Sequence, residues 1–121
     1  MEFDEKQAIY LQIADYVLGK ILSGTWKETE KIPSVRDLSI ELQVNPNTVM
    51  RAYDHLQQQG IIQIRRGIGN FISANARETI LSLRQEEFFA VELKSLFQKL
   101  DLLGIDIKEI GIHYDQYLKT R

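Results

Sequence analysis

Residues Ile32–Gly60 read IPSVRDLSIELQVNPNTVMRAYDHLQQQG. Ser34 follows Pro33 and stands three residues before Asp37, the spacing of a capping box, so a short helix starts here. Val35, Leu38 and Leu42 point one way along it, and it ends near Leu42. Asn45 suits the cap of a second helix. Pro46 suits its first turn, where a missing backbone N–H costs nothing. On that second helix Val49, Ala52, Tyr53 and Leu56 gather on one face. Asn47 and Arg51 lie opposite them, with Thr48 at the edge, and Gly60 ends the helix. Only Gln43 and Val44 separate the short helix from the cap of the next, which is the spacing of a helix-turn-helix.

The chain then runs IIQIRRGIGNFIS over Ile61–Ser73. Two short apolar runs flank RRGIG, a pattern that predicts two strands and a tight turn. A hairpin directly after a helix-turn-helix makes a winged helix. Upstream, Ile9, Ile13, Val17 and Ile21 fall four apart, and Leu11, Leu18 and Leu22 form a second stripe, so Ala8–Ser23 reads as a well-buried helix stopped by Gly24. Trp26 and Ile32 follow in a charged connector, where Trp26 reads as a core anchor under a loop.

Downstream, Arg77–Arg121 carries no hairpin signal. Leu93, Leu96, Leu100 and Leu103 are spaced 3, 4, 3, with Phe89 extending the stripe backwards and Ile80, Phe88 and Val91 adding a second apolar side. Gly104 stops this long helix. Asp106 with Glu109 caps another, on which Ile107, Ile110, Tyr114 and Tyr117 repeat the same spacing. The expected organisation is a winged helix-turn-helix over residues 1–76 and a two-helix tail over residues 77–121, mainly α with a small β-hairpin. One winged helix could cover one such stripe but hardly two, so the tail is expected to pair with a second copy of the chain through these residues.

Composition narrows the function. The chain has 121 residues, no cysteine and a formal net charge of −2. Disulfides, thiolate zinc sites and a cysteine nucleophile are excluded. No apolar stretch is long enough to cross a bilayer, and MEFDEKQ lacks the apolar core of a signal peptide, so a cytoplasmic location is expected. His55 and His113 fall on different helices, and no nucleophile–base pair or metal spacing appears, so neither an enzyme nor a metal or cofactor site is expected. The balance is −1 in each part: 8 Lys and Arg against 9 Asp and Glu in residues 1–76, then 7 against 8. A polyanion site must therefore be local. Between Lys31 and Arg66 five basic residues face three acidic ones, enough for phosphate contacts.

The candidates for such contacts follow from the elements. An α-helix fits the major groove of DNA, where Arg can bind guanine, Asn can bind adenine and a Thr methyl can pack on thymine; Arg51, Asn47 and Thr48 are these residues. Arg36 stands where the first helix of the motif crosses the backbone. Gly67 and Gly69 let the hairpin tip approach closely, and Arg65 and Arg66 supply its charge. A winged helix that serves only as a protein-interaction module is the alternative; an acidic or apolar recognition face would favour it, and Asn47, Thr48 and Arg51 argue against it.

The run P-S-x-R-x-L, then N-x-N-T-V-x-R-A-Y, then R-G-x-G-x-F resembles the winged-helix pattern of the GntR family of bacterial transcriptional regulators. The resemblance covers Ile9–Ile72. It implies a dimer on operator DNA, with Arg36 on phosphate, Asn47, Thr48 and Arg51 on the recognition helix, and Arg66 and Gly67 at the wing tip. Similar sequences tend to carry Gly where this chain has Thr29. The short helical tail resembles that of the YtrA-like subfamily and implies a dimerisation element in place of a large effector domain, with no small-molecule effector assigned.

Overall fold

The computed structural model describes all residues, Met1–Arg121. It divides into two compact units, Met1–Ser82 and Leu83–Arg121. The first contains α1 (Ile9–Leu22), β1 (Lys31–Ile32), α2 (Val35–Leu42), α3 (Pro46–Gln58), β2 (Ile62–Arg65) and β3 (Gly69–Ile72). It also contains the start of α4 (Ala76–Glu87). The three strands form one antiparallel sheet in the order β1-β3-β2. Winged helix-turn-helix is thus the fold, with a third strand that the sequence pattern does not reveal.

The core is built from the predicted stripes. Ile13, Val17 and Ile21 of α1 meet Val49, Ala52, Tyr53 and Leu56 of α3, and all are buried. Leu38 and Leu42 of α2 complete the layer, and Ile61, Ile62 and Ile72 close it from the sheet. Ile9, the first residue of the α1 stripe, is exposed. Gln12 is buried on α1, and its side-chain amide is satisfied by Asp4 N–H and by the carbonyls of Asp4 and Gln7. That arrangement ties the N-terminal segment down without an orphaned polar group.

The caps fall where the sequence places them. Ser34 Oγ accepts from the Asp37 N–H at 3.0 Å, and Asn45 Oδ1 accepts from the Asn47 N–H at 2.8 Å. Between these helices Gln43 takes a left-handed conformation, φ +57°, and Val44 N–H returns to the Ser39 carbonyl at 3.0 Å. This is a helix end sealed by an αL cap, and it leaves room for only a short turn. Trp26 is half-buried and packs edge-on to Tyr16, ring centroids 6.2 Å apart.

Thr29, in the connector between α1 and β1, has φ +68°. A β-branched residue is disfavoured in this region. The turn holds because both its ends are pinned to β3: Thr29 N–H donates to the Ile72 carbonyl at 2.9 Å, and Ile72 N–H donates to the Glu30 carbonyl at 3.0 Å. Those two bonds lead directly into β1, where Lys31 pairs with Phe71 and Ile32 with Asn70.

The first unit extends past the boundary read from sequence at residue 76. Ala76 and Ile80, the opening residues of α4, are buried in it. The Arg77 guanidinium donates to the Leu22 carbonyl at 2.5 Å, capping the end of α1. Ile80 therefore serves the winged-helix core and not the tail stripe.

The second unit contains the end of α4, a five-residue π turn at Phe88–Glu92, α5 (Leu93–Leu103) and α6 (Ile107–Thr120). Gly104, at φ +66°, terminates α5, and Asp106 Oδ1 caps α6 by accepting from Lys108 N–H at 2.9 Å. The π turn inserts an extra residue into the helical repeat. The stripe is reset by it: Leu93 and Leu96 are half-buried and Leu100 is buried, while Phe89 on the far side of the turn is 61% exposed. Leu100 is the one buried residue of the unit.

Candidate nucleic-acid interface

The capped start of α3 fixes what that helix presents. Its buried face is Val49, Ala52, Tyr53 and Leu56, so Asn47 and Arg51 project outward and Thr48 sits half-buried at the edge. These three predicted residues share one end of one helix. Arg36 is exposed on α2. The two helices are tied near this surface by Tyr53, whose phenol donates to the Pro33 carbonyl at 2.7 Å. Burial first, and then the nearby Glu41 and Asp37 carboxylates and Tyr16, hold the Tyr53 phenol well above the usual tyrosine range. It is therefore a fixed neutral donor at every physiological pH.

The wing turns at Arg66 and Gly67, closed by Ile68 N–H to the Arg65 carbonyl at 2.9 Å. Gly67 has φ +77°, the left-handed value that a type II turn needs at this position. An added Cβ there would meet nothing within 4 Å, so the requirement is one of backbone conformation alone.

The two wing arginines are not equivalent. Arg65 lies over the Phe71 ring, 4.5 Å from its centroid, with a 3.4 Å contact from its guanidinium to Gln63 Oε1. Arg66 is exposed at the tip. Gly69 begins β3, and the space a Cβ would fill there is taken by Lys31, whose Cε would stand 2.5 Å from it. Gly69 thus gives passage to a lysine from β1. Lys31 adds a cation beside the wing that the sequence, lacking any sign of β1, does not assign to it.

Arg51 is also held in a way no local pattern shows. Its guanidinium carbon lies 3.9 Å from the centroid of the Tyr10 ring on α1. His55, one turn along α3, is half-buried and packs edge-on to the same ring. His113 is exposed on α6.

Residues 9–72 match the family described as bacterial regulatory proteins, gntR family. The chain belongs to the GntR family. It is a DNA-binding transcriptional regulator and not an enzyme. Over 102 residues it is 35% identical to the HTH-type transcriptional repressor YtrA of Bacillus subtilis, covering 84% of this chain and 78% of that one. A GntR-family structure from Bacteroides thetaiotaomicron is 46% identical with a TM-score of 0.83, covering 93% of this chain and 98% of that one. The DNA-binding domain of AraR, solved in complex with its operator, is similar at 26% identity and a TM-score of 0.55, covering 60% of this chain and 86% of that domain. No helix of the GntR-family chain is long and apolar enough to cross a membrane.

The tail residues expected at a dimer seam divide into two groups. Leu93, Leu96, Leu100 and Ile110 are at least half-buried within the unit. Phe89, Leu103, Ile107, Tyr114 and Tyr117 are exposed, the two tyrosines with their rings stacked 6.3 Å apart.

Proposed function

We propose that this GntR-family chain is a dimeric repressor that binds a pseudo-palindromic operator. One observation carries the reading of DNA: the face of α3 turned away from the core presents Asn47, Thr48 and Arg51 together. These are side chains able to read base edges in a major groove that admits one helix. With α3 in the groove, Arg36 on α2 holds the sugar–phosphate backbone. The wing tip, Arg66 and Gly67, reaches the adjacent minor groove or backbone. That the similar AraR domain was solved with its operator supports the reading of a DNA-binding domain.

The second unit, Leu83–Arg121, supplies the dimer. A unit of which Leu100 is the only buried residue cannot stabilise itself, and Phe89, Phe97, Leu103 and Tyr117 offer apolar surface to a second copy. A two-fold dimer meets half-sites about one helical turn, or ~10 bp, apart or a multiple of it.

Selection of bound fragments from random duplex DNA tests the reading of DNA, and sedimentation tests the dimer. The intact chain is expected to recover an inverted repeat and to sediment as a dimer. A version ending at Ser82 is expected to be monomeric and to hold one half-site weakly, because tethering raises the effective concentration at the second. A single unrepeated motif, or a truncated chain that still dimerises, overturns the proposal.

A further inference from the structure

Arginine on a helix surface ordinarily samples many rotamers. Here the Arg51 guanidinium is stacked over the Tyr10 ring, 3.9 Å from its centroid, a contact that favours one of those rotamers. Tyr10 is in turn packed against a second side chain. It is half-buried in the first turn of α1, and the edge contact from His55, centroids 5.9 Å apart at 82°, sets the tilt of its ring. Arg51 and His55 are four residues apart on α3 and so grip the ring from one helix face.

The chemistry of the stack decides what it does. A guanidinium meets an aromatic ring with its face, through the ring's negative quadrupole. Its five N–H donors lie in the plane, at the edge. Guanine takes two of those edge donors in a bidentate bond. Stacking on Tyr10 and reading a base therefore use different parts of the same group.

We propose that Tyr10 is a positioning residue for DNA recognition: it holds the Arg51 guanidinium pre-oriented, so that base discrimination by the recognition helix depends on a ring contributed from α1. This rests on the reading of Arg51 as a base contact. The opposite arrangement, a ring that parks Arg51 away from DNA, makes the opposite prediction, since loss of the ring would then strengthen binding.

The test uses the full chain and a duplex recovered by selection with the wild-type protein. A second set of duplexes carries single base-pair changes. Tyr10→Phe keeps the ring and is expected to bind like wild type. Tyr10→Leu is expected to weaken binding roughly 2–6-fold, the equivalent of an exposed cation–π contact. It should also reduce the preference at the base pair where Arg51→Ala loses discrimination, and nowhere else. In an Arg51→Ala background, Tyr10→Leu is expected to have no further effect. The inference is overturned if Tyr10→Leu tightens binding, if its effect persists undiminished without Arg51, or if Tyr10→Phe loses as much as Tyr10→Leu. Should Tyr10→Leu fail to fold, Tyr10→Met carries the same comparison. If Arg51→Ala itself discriminates like wild type, the reading of Arg51 fails first, a result separate from any property of Tyr10.

Discussion

Replacing Tyr53 by Phe removes one hydroxyl from the centre of the helix-turn-helix. Tyr53 is 1% exposed, and its phenol donates to the Pro33 carbonyl at 2.7 Å, linking α3 to the residue that precedes the α2 cap. Phe fills the same volume, so no cavity opens. The loss is the hydrogen bond plus the stranding of a half-buried carbonyl, about 1–2 kcal/mol. The pH dependence carries a second signature. Burial, reinforced by Glu41, Asp37 and Tyr16, raises the Tyr53 pKa above its unfolded value, which is about 10. A group raised in this way contributes its stability in full below that unfolded value and loses it as pH climbs above. The slope for one proton is about 1.4 kcal/mol per pH unit. Phe has no proton to lose. The wild-type advantage should therefore be constant from pH 7 to 9 and close within about one unit above pH ~10. Urea unfolding at pH 7, 9, 10.5 and 11, at one protein concentration so that self-association stays fixed, measures it. A Tyr53→Phe variant as stable as wild type at pH 7 would refute the hydrogen bond. A gap that stays constant through pH 11 would refute the buried neutral phenol.

Thr29→Gly is expected to stabilise the chain. Relief of a left-handed Thr (φ +68°) returns about 1–2 kcal/mol, and the added freedom of glycine takes back ~0.5–1. The net is a rise of a few degrees in Tm by circular dichroism, with DNA affinity unchanged. Gly67→Val should cost the free protein about 1–2 kcal/mol of backbone strain, because nothing else crowds that position. Its affinity for selected DNA should nevertheless fall more than tenfold; a variant that melts without losing affinity contradicts the role given to the wing. Arg36→Ala should weaken binding to all duplexes alike and flatten the slope of log affinity against log salt by roughly 0.9 for each phosphate that is no longer neutralised.

Much of the first unit was legible because its information is local. Val49, Ala52, Tyr53 and Leu56 betray the buried face of α3 by spacing alone; Ser34 and Asn45 mark helix starts by side-chain hydrogen bonding, and Gly60 and Gly104 mark helix ends by their freedom to take positive φ. What stayed hidden depends on partners distant in sequence. β1 is two residues long, too short for any alternation, and exists only through its pairing with β3. Lys31 consequently reaches Gly69 unannounced, and the two arginines of RRGIG look alike until Phe71 is seen to claim Arg65. Tyr10 and Arg51 meet across the α1–α3 packing, which no motif encodes. The π turn at Phe88–Glu92 separates Phe89 from the tail stripe, since extending the 3, 4, 3 spacing of Leu93–Leu103 backwards presumes an uninterrupted α-helix. The tail boundary moved for a similar reason: Ile80 fits the tail's periodicity but is buried in the winged helix.

Titration of wild type and Arg51→Ala against the selected duplex and its single base-pair variants, at fixed salt, asks whether α3 reads DNA sequence through Arg51. Arg51→Ala is expected to lose about 1–3 kcal/mol of binding and to relax the preference at one position in each half-site, with the other positions read as before. An Arg51→Ala variant that binds and discriminates like wild type would contradict this reading of Arg51.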